Sequence, residues 1–268
     1  MNDMDARMKM YEGVEGSRRF LPLLPVCARL DGKCFHKFTK GLERPFDQRF
    51  RALMQTLTIY LVKETCACMG YTQSDEITLT WYSDNIKSQI FYDGRIQKLN
   101  SVLAAVASVE FGHLLPAYLP EKVGTSPVFD CRVWQLPTLA EGANVFLWRE
   151  FDAVRNSISA AANSCYSDKQ LYKKNSSEMQ EMLFQKGINW NDYPAEVKRG
   201  FYAQRKHIIR KFTTGEIEKL PPRHEARKNP DLTVERAYVE YVDMPIFSQV
   251  TNRKGVIFKG EDPICTKG

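Results

Sequence analysis

Long apolar runs are missing from this 268-residue chain. The longest, Leu21 to Cys27 and Val102 to Val109, fall far short of a membrane span. The opening Met-Asn-Asp-Met-Asp lacks the basic start and apolar centre of a signal peptide. Both absences speak for a cytoplasmic protein with no membrane partner. No internal repeat or low-complexity tract occurs. The seven cysteines are an odd number, scattered, and mostly set in apolar stretches (Cys27, Cys66, Cys68, Cys131, Cys165). Free thiols in a reducing compartment fit this better than a disulfide framework. Cys66-Ala-Cys68 has no second pair or nearby His at zinc spacing.

Hydrophobic residues make up 43% of the chain and charged residues 26%, the profile of a globular protein able to bury a sizeable core. The formal charge of +6 is unevenly placed: Glu196 to Lys228 holds ten Lys/Arg against four Glu, a surplus equal to that of the whole chain. With Phe201, Tyr202 and Phe212 interleaved, the segment suits a polyphosphate or nucleic-acid partner. A solvated basic face without a partner has the same composition.

The first twenty residues read as a short helix or arm. Leu23 to Leu30 reads as a buried strand that stops abruptly at Asp31-Gly32. Phe50, Leu53, Met54, Leu57, Leu61 and Val62 follow three-and-four spacing, predicting a helix over 47–69 with Asp47 as N-cap and Gly70 as stop. A hairpin follows, with Ser74 and Asp75 at its turn and Ile77 to Tyr82 as its second strand. A helix over 95–113 and a strand from Phe129 to Leu136 complete the order strand, helix, strand, strand, helix, strand. That order is the α+β split βαβ, or ferredoxin-like, arrangement: an antiparallel sheet with two helices on one face. Beyond it lie a long helix from Glu141 to Tyr166, a shorter one from Ser176 to Lys186, and strand-like runs at His207–Phe212, Tyr238–Tyr241 and Gly255–Lys259. The expected organisation is a catalytic core with an N-terminal arm (1–140) and a helical, basic C-terminal region packed on it (141–268).

This topology brings Asp31 and Asp75 together, because the first and third strands are central neighbours. Two carboxylates at one sheet edge suit Mg²⁺, which takes hard oxygen ligands and usually few from protein. A pair of ions can activate an attacking oxygen and stabilise a leaving pyrophosphate. Gly32 permits a sharp turn and can add its carbonyl. The turn Gly32-Lys33-Cys34-Phe35-His36 offers main-chain N–H groups for a triphosphate, with Lys33 and His36 beside it.

Arg29-Leu30-Asp31-Gly32-Lys33-Cys34-Phe35-His36-Lys37-Phe38 followed by Gln73-Ser74-Asp75-Glu76 resembles the tRNA-His guanylyltransferase family, which extends RNA in the 3′-to-5′ direction. Phe129-Asp130-Cys131-Arg132-Val133 and Trp148-Arg149 are further matches, and the similarity covers most of residues 20–212. The resemblance implies a polymerase-like palm, with two Mg²⁺ held by Asp31, Gly32 and Asp75. It implies ATP and GTP as substrates, with Asp31 to His36, Ser74 and Asp75 holding the incoming nucleotide. Arg95 and Lys98 are implied phosphate ligands for the activating nucleotide. Arg132, Asn156, Lys198, Arg199, Arg205 and Lys206 are candidates for tRNA contact. A homodimer or tetramer bridged by tRNA is implied as well.

Where eukaryotic members carry a His-Ile-Asn-Asn-Leu-Tyr-Asn motif, this chain reads Val154-Arg155-Asn156-Ser157-Ile158-Ser159-Ala160. That version, with Asn175 to Met179 and Gly187 to Pro194, resembles the bacterial-type branch, whose members tend toward template-dependent repair of 5′-truncated tRNA. Two other readings compete: a palm-type nucleotidyl cyclase, whose hairpin tip would read Gly-Gly-Asp/Glu-Glu-Phe, and an RNA-binding module without catalysis.

Overall fold

The computed structural model describes residues 3–229 and 231–265; residues 1, 2, 230 and 266–268 of the two expected regions lie outside it. After an N-terminal helix α1 (Asp3–Gly16), the chain builds β1 (Val26–Gly32), the short α2 (Phe35–Phe38), α3 (Gln48–Thr65), β2 (Met69–Gln73), β3 (Glu76–Trp81), α4 (Ile96–Tyr118) and β4 (Phe129–Gln135). The remainder forms α5 (Leu139–Asn163), α6 (Asp168–Leu171), α7 (Ser176–Phe184), α8 (Ala195–Arg199), β5 (Phe201–Lys211), α9 (Thr214–Lys219), β6 (Thr233–Val242) and α10 (Arg253–Lys259). The strands make one antiparallel sheet in the order β4-β1-β3-β2-β5-β6. Its first four strands are the expected ferredoxin-like core, and β5 and β6 widen it from the C-terminal region.

Side chains on successive strand residues point to opposite faces. Val26, Ala28 and Leu30 of β1 enter one core with Leu53, Leu57 and Leu61 of α3 and Leu103, Ala107 and Phe111 of α4. By length and composition alone α4 could cross a membrane; it buries Leu99, Leu103, Ala107, Phe111 and Leu115 against this core. Cys27, on the other face, joins Met69, Tyr71 and Tyr202 in a second core under Phe146 of α5 and Val256 and Ile257 of α10. The two expected palm helices therefore share one face, and the C-terminal helices cover part of the other. Buried Glu150 of α5 pins that cover, accepting from the Tyr202 hydroxyl at 3.1 Å and the Phe247 N–H at 2.9 Å.

Asp47 caps α3 as expected, its carboxylate accepting from the N–H groups of Arg49 and Phe50. Gly70 does not end that helix. Cys66 ends it in a left-handed conformation, and Gly70 lies within β2, where a Cβ would fall 2.5 Å from Val62. Gly255–Lys259 belongs to a helix rather than a strand, because three consecutive apolar residues carry no period that distinguishes the two.

Candidate active site

Asp31 is the last residue but one of β1 and sits opposite Glu76 in the ladder with β3, while Asp75 precedes Glu76 in the two-residue turn after β2. The turn needs a left-handed residue, supplied here by Ser74 at φ 55°. The Gly32 N–H donates to the Asp75 carbonyl at 3.2 Å, tying the two strand ends together. Gly32 is required for a second reason: a Cβ there would lie 2.3 Å from the Phe35 ring. Phe35 itself is 3% exposed, packed with Phe38, Phe111 and Phe129, so only its main chain can meet a ligand. Lys33, Cys34 and His36 are exposed around it. The Cys34 residue takes a left-handed φ of 58° and starts α2.

Two cavities meet at this edge. One, of about 710 Å³, runs from Asp31 and Asp75 over Phe46, Phe50 and Arg51 to Asn156, Ser157, Glu196 and Phe201. The other, of about 340 Å³, is lined by Gly32, Cys34, Phe35, His36, Thr39, Ser74 and Asp75. His36, Thr39, Ser74 and Asp75 form the wall between them. Burial pushes the Asp75 carboxyl above its ordinary value, and the neighbouring Asp31 pushes it further, against the hydrogen bond from Ser74 and the positive pull of His36. Glu76 is raised by burial too, opposed by Arg149 and Arg29. Asp75, raised by burial and set beside Asp31, makes this edge a natural seat for a cation. Among the described residues no three or more His, Cys, Asp or Glu side chains gather into a metal cage. A hard cation completed by water and substrate phosphates needs no such cage, so the donor set fits Mg²⁺.

Other expected residues lie elsewhere. Asn156 lines the large cavity. Arg132 is exposed on β4, in register with Arg29 and 3.7 Å from Asp130. Lys198 is occupied with the Asn191 carbonyl at 2.5 Å and the Trp190 ring, while neighbouring Arg199 accepts from the Tyr71 hydroxyl through its carbonyl. Burial lowers the Lys198 ammonium below its usual range, with Arg199 acting the same way. Gly200 allows this close approach at φ 84°, where a Cβ would lie 2.4 Å from the Tyr71 ring. Arg205 and Lys206 run past the start of β2, at the end of the sheet away from Asp31; Lys206 is held by Glu240 and Asp262. Arg95 and Lys98 also sit at that far end. Arg95 bridges to Arg19, and the preceding turn stacks Phe91 on Trp81. One chain therefore does not bring Arg95, Lys98, Arg205 or Lys206 to its own aspartates; the strand expected from His207 begins at Phe201 and takes in Arg205 and Lys206, and Arg95 is the N-cap of α4.

Arg149, 5% exposed, stands 2.8 Å from both Glu76 and Asp152. Its dipeptide with Trp148 matches the family, but neither residue type nor spacing announces this contact.

An antiparallel 4-1-3-2 core with paired carboxylates at the first strand's end defines a palm-type α+β protein with a nucleotide-sized cleft. The chain belongs to the tRNA-His guanylyltransferase family, a family of transferases: the profile described as "Thg1: tRNAHis guanylyltransferase" matches residues 5–137. The tRNA(His) guanylyltransferase of Schizosaccharomyces pombe is 30% identical over 207 residues, covering 72% of this chain and 77% of the relative. A bacterial tRNA(His) guanylyltransferase-like protein in complex with ATP superimposes with TM-score 0.75 at 32% identity, covering 95% of this chain and 97% of its own. Another bacterial protein of this kind, in complex with GTP, gives TM-score 0.70 at 28% identity, covering 92% and 94%.

Proposed function

We propose that this protein adds nucleotides to the 5′ end of a tRNA in the 3′-to-5′ direction, after activating the 5′-phosphate with ATP. The observation that carries this reading is that Asp75 lines both cavities and Asp31 the larger one, so that one acidic edge borders two nucleotide-sized spaces. Solved relatives in complex with ATP and with GTP support it.

In the first step the 5′-monophosphate oxygen attacks the α-phosphorus of ATP, and pyrophosphate leaves. In the second, the 3′-hydroxyl of GTP attacks the RNA phosphorus, loses its proton, and AMP leaves. The new end carries a triphosphate. Both are in-line displacements governed by positioning and electrostatics. Two Mg²⁺ ions held by Asp31, Asp75 and the Gly32 carbonyl would supply charge neutralisation and activate the attacking oxygen. The exposed turn at Lys33 to His36 cradles a triphosphate, with Ser74 and His36 orienting it from the shared wall. Asn156 and Arg132 take the RNA end. Arg95 and Lys98 serve as phosphate ligands only across subunits, so this role goes with a dimer or tetramer. The protein works in the cytoplasm.

The test is single-turnover extension of 5′-monophosphorylated tRNA-His, full length and lacking its first nucleotide, with ATP, GTP and Mg²⁺. Templated addition to the shortened RNA identifies 5′-end repair, and preference for the full-length RNA identifies guanylylation of tRNA-His. Asp31→Asn and Asp75→Asn should each lower either step at least about a hundredfold, the scale of lost electrostatic stabilisation. GTP turnover without RNA, or no extension of either tRNA, would overturn the proposal.

A further inference from the structure

Three carboxylates crowd the end of the sheet: Asp31, Asp75 and Glu76. A cation pair has use for two. The third faces Arg149 of the long helix α5. Arg149 Nε comes within 2.8 Å of Glu76 Oε1, off the line of its N–H bond, so the contact is an ion pair rather than a formed hydrogen bond. The same guanidinium is 2.8 Å from Asp152, and the Trp148 ring lies 4.3 Å from its centre. Arg29 approaches the other Glu76 oxygen at 3.9 Å. The guanidinium is thus flanked by two acids and an indole while buried, where an unpaired charge is costly. A planar fork can serve two carboxylates at fixed angles; an ammonium cannot.

We infer that Arg149 is a positioning residue that holds the Glu76 carboxylate away from the cation seat, leaving Asp31 and Asp75 as its acidic ligands. The inference rests on the reading of Asp31 and Asp75 given above. It does not depend on RNA being the substrate. With Arg149 gone, Glu76 keeps only the more distant Arg29 beside Asp31, while Asp152 keeps Arg155. A divalent cation is then drawn in more strongly and Glu76 enters its shell, occupying a position meant for substrate phosphate.

Mn²⁺ binding to the full-length protein, followed by the electron paramagnetic resonance of the free ion, tests this without any reaction. Arg149→Met should bind Mn²⁺ several-fold more tightly than wild type while extending RNA at least tenfold more slowly. General damage to the site would instead weaken the metal. Adding Glu76→Gln to Arg149→Met should return Mn²⁺ affinity to the wild-type value, because the two residues act through one contact and their effects cannot add. Arg149→Lys keeps the charge but loses the fork, so its Mn²⁺ affinity should stay near wild type with intermediate turnover. Unchanged or weakened Mn²⁺ binding in Arg149→Met, or strictly additive effects in the double variant, would overturn the inference. If Arg149→Met does not fold, wild-type turnover in Arg149→Lys overturns it. A wild-type protein that binds Mn²⁺ but extends no RNA would refute the proposed function and leave this inference standing.

Discussion

Asp75 costs the folded chain stability. Burial and the nearby Asp31 hold its carboxyl above the ordinary value of 3.8, so the ionised form opposes folding. For an acid raised in this way the penalty is absent below 3.8 and reaches its full size only above the raised folded value. Asp75→Asn should therefore raise the Tm of the metal-free protein at neutral pH by about 2 °C, the size of shift that a fraction of a kcal/mol produces in a domain of this length. The gain should vanish as the pH is brought down toward 4. Mg²⁺ should raise the Tm of the wild type and leave that of the variant nearly unmoved. Differential scanning fluorimetry across pH, with and without the ion, reads both effects. A variant less stable than wild type at neutral pH would show that the Ser74 contact outweighs the crowding.

Helix α3 carries the opposite case. Asp47 would be raised by burial alone, but the Arg49 side chain and the N–H groups of Glu43, Phe50 and Arg49 bring its carboxyl down to about 2. Its stabilising effect is present above the ordinary carboxylate range and fades as the pH falls toward 2. Asp47→Ala should cost about 1 kcal/mol at neutral pH, the usual worth of an N-cap, with the difference from wild type shrinking in acid. Urea unfolding at pH 7 and pH 3 measures it. This cap was legible in the sequence because it is local: an acid directly before an apolar period. The aspartates at the strand ends were legible for a similar reason, each being a turn signal at the end of an apolar run. What escaped the sequence depends on tertiary placement. The strands β5 and β6 extend well past their expected limits: Phe201 to Gln204 of β5 are buried on both faces and show no alternation, while nearly all of β6 is exposed or half-buried. Arg95 and Lys98 were placed in the right helix neighbourhood, yet the fold turns that end away from Asp31. The contact between Arg149 and Glu76 joins a helix to a sheet across more than seventy intervening residues, and nothing in either segment announces the other.

At the scale of the molecule, residues after β6 complete the second core rather than trail from it. Phe247, Val250, Val256, Ile257 and Phe258 are buried there against α5 and the sheet. At about 2 kcal/mol for each large apolar side chain, removing them forfeits on the order of 10 kcal/mol, comparable with the whole stability of a typical domain. A chain ending at Val242 should therefore show no cooperative thermal transition and should bind a hydrophobic dye. A sharp transition near the wild-type Tm would mean the sheet and α5 hold without this cover.

The open sheet ends on β4 and β6, and both outer strands are studded with charge: Asp130 and Arg132 on one, Glu235, Arg236 and Glu240 on the other. A neighbour adding itself as a seventh strand would have to strip water from those groups, which is how natural sheets refuse to polymerise. The molecule can thus be crowded without zipping edge to edge into ribbons.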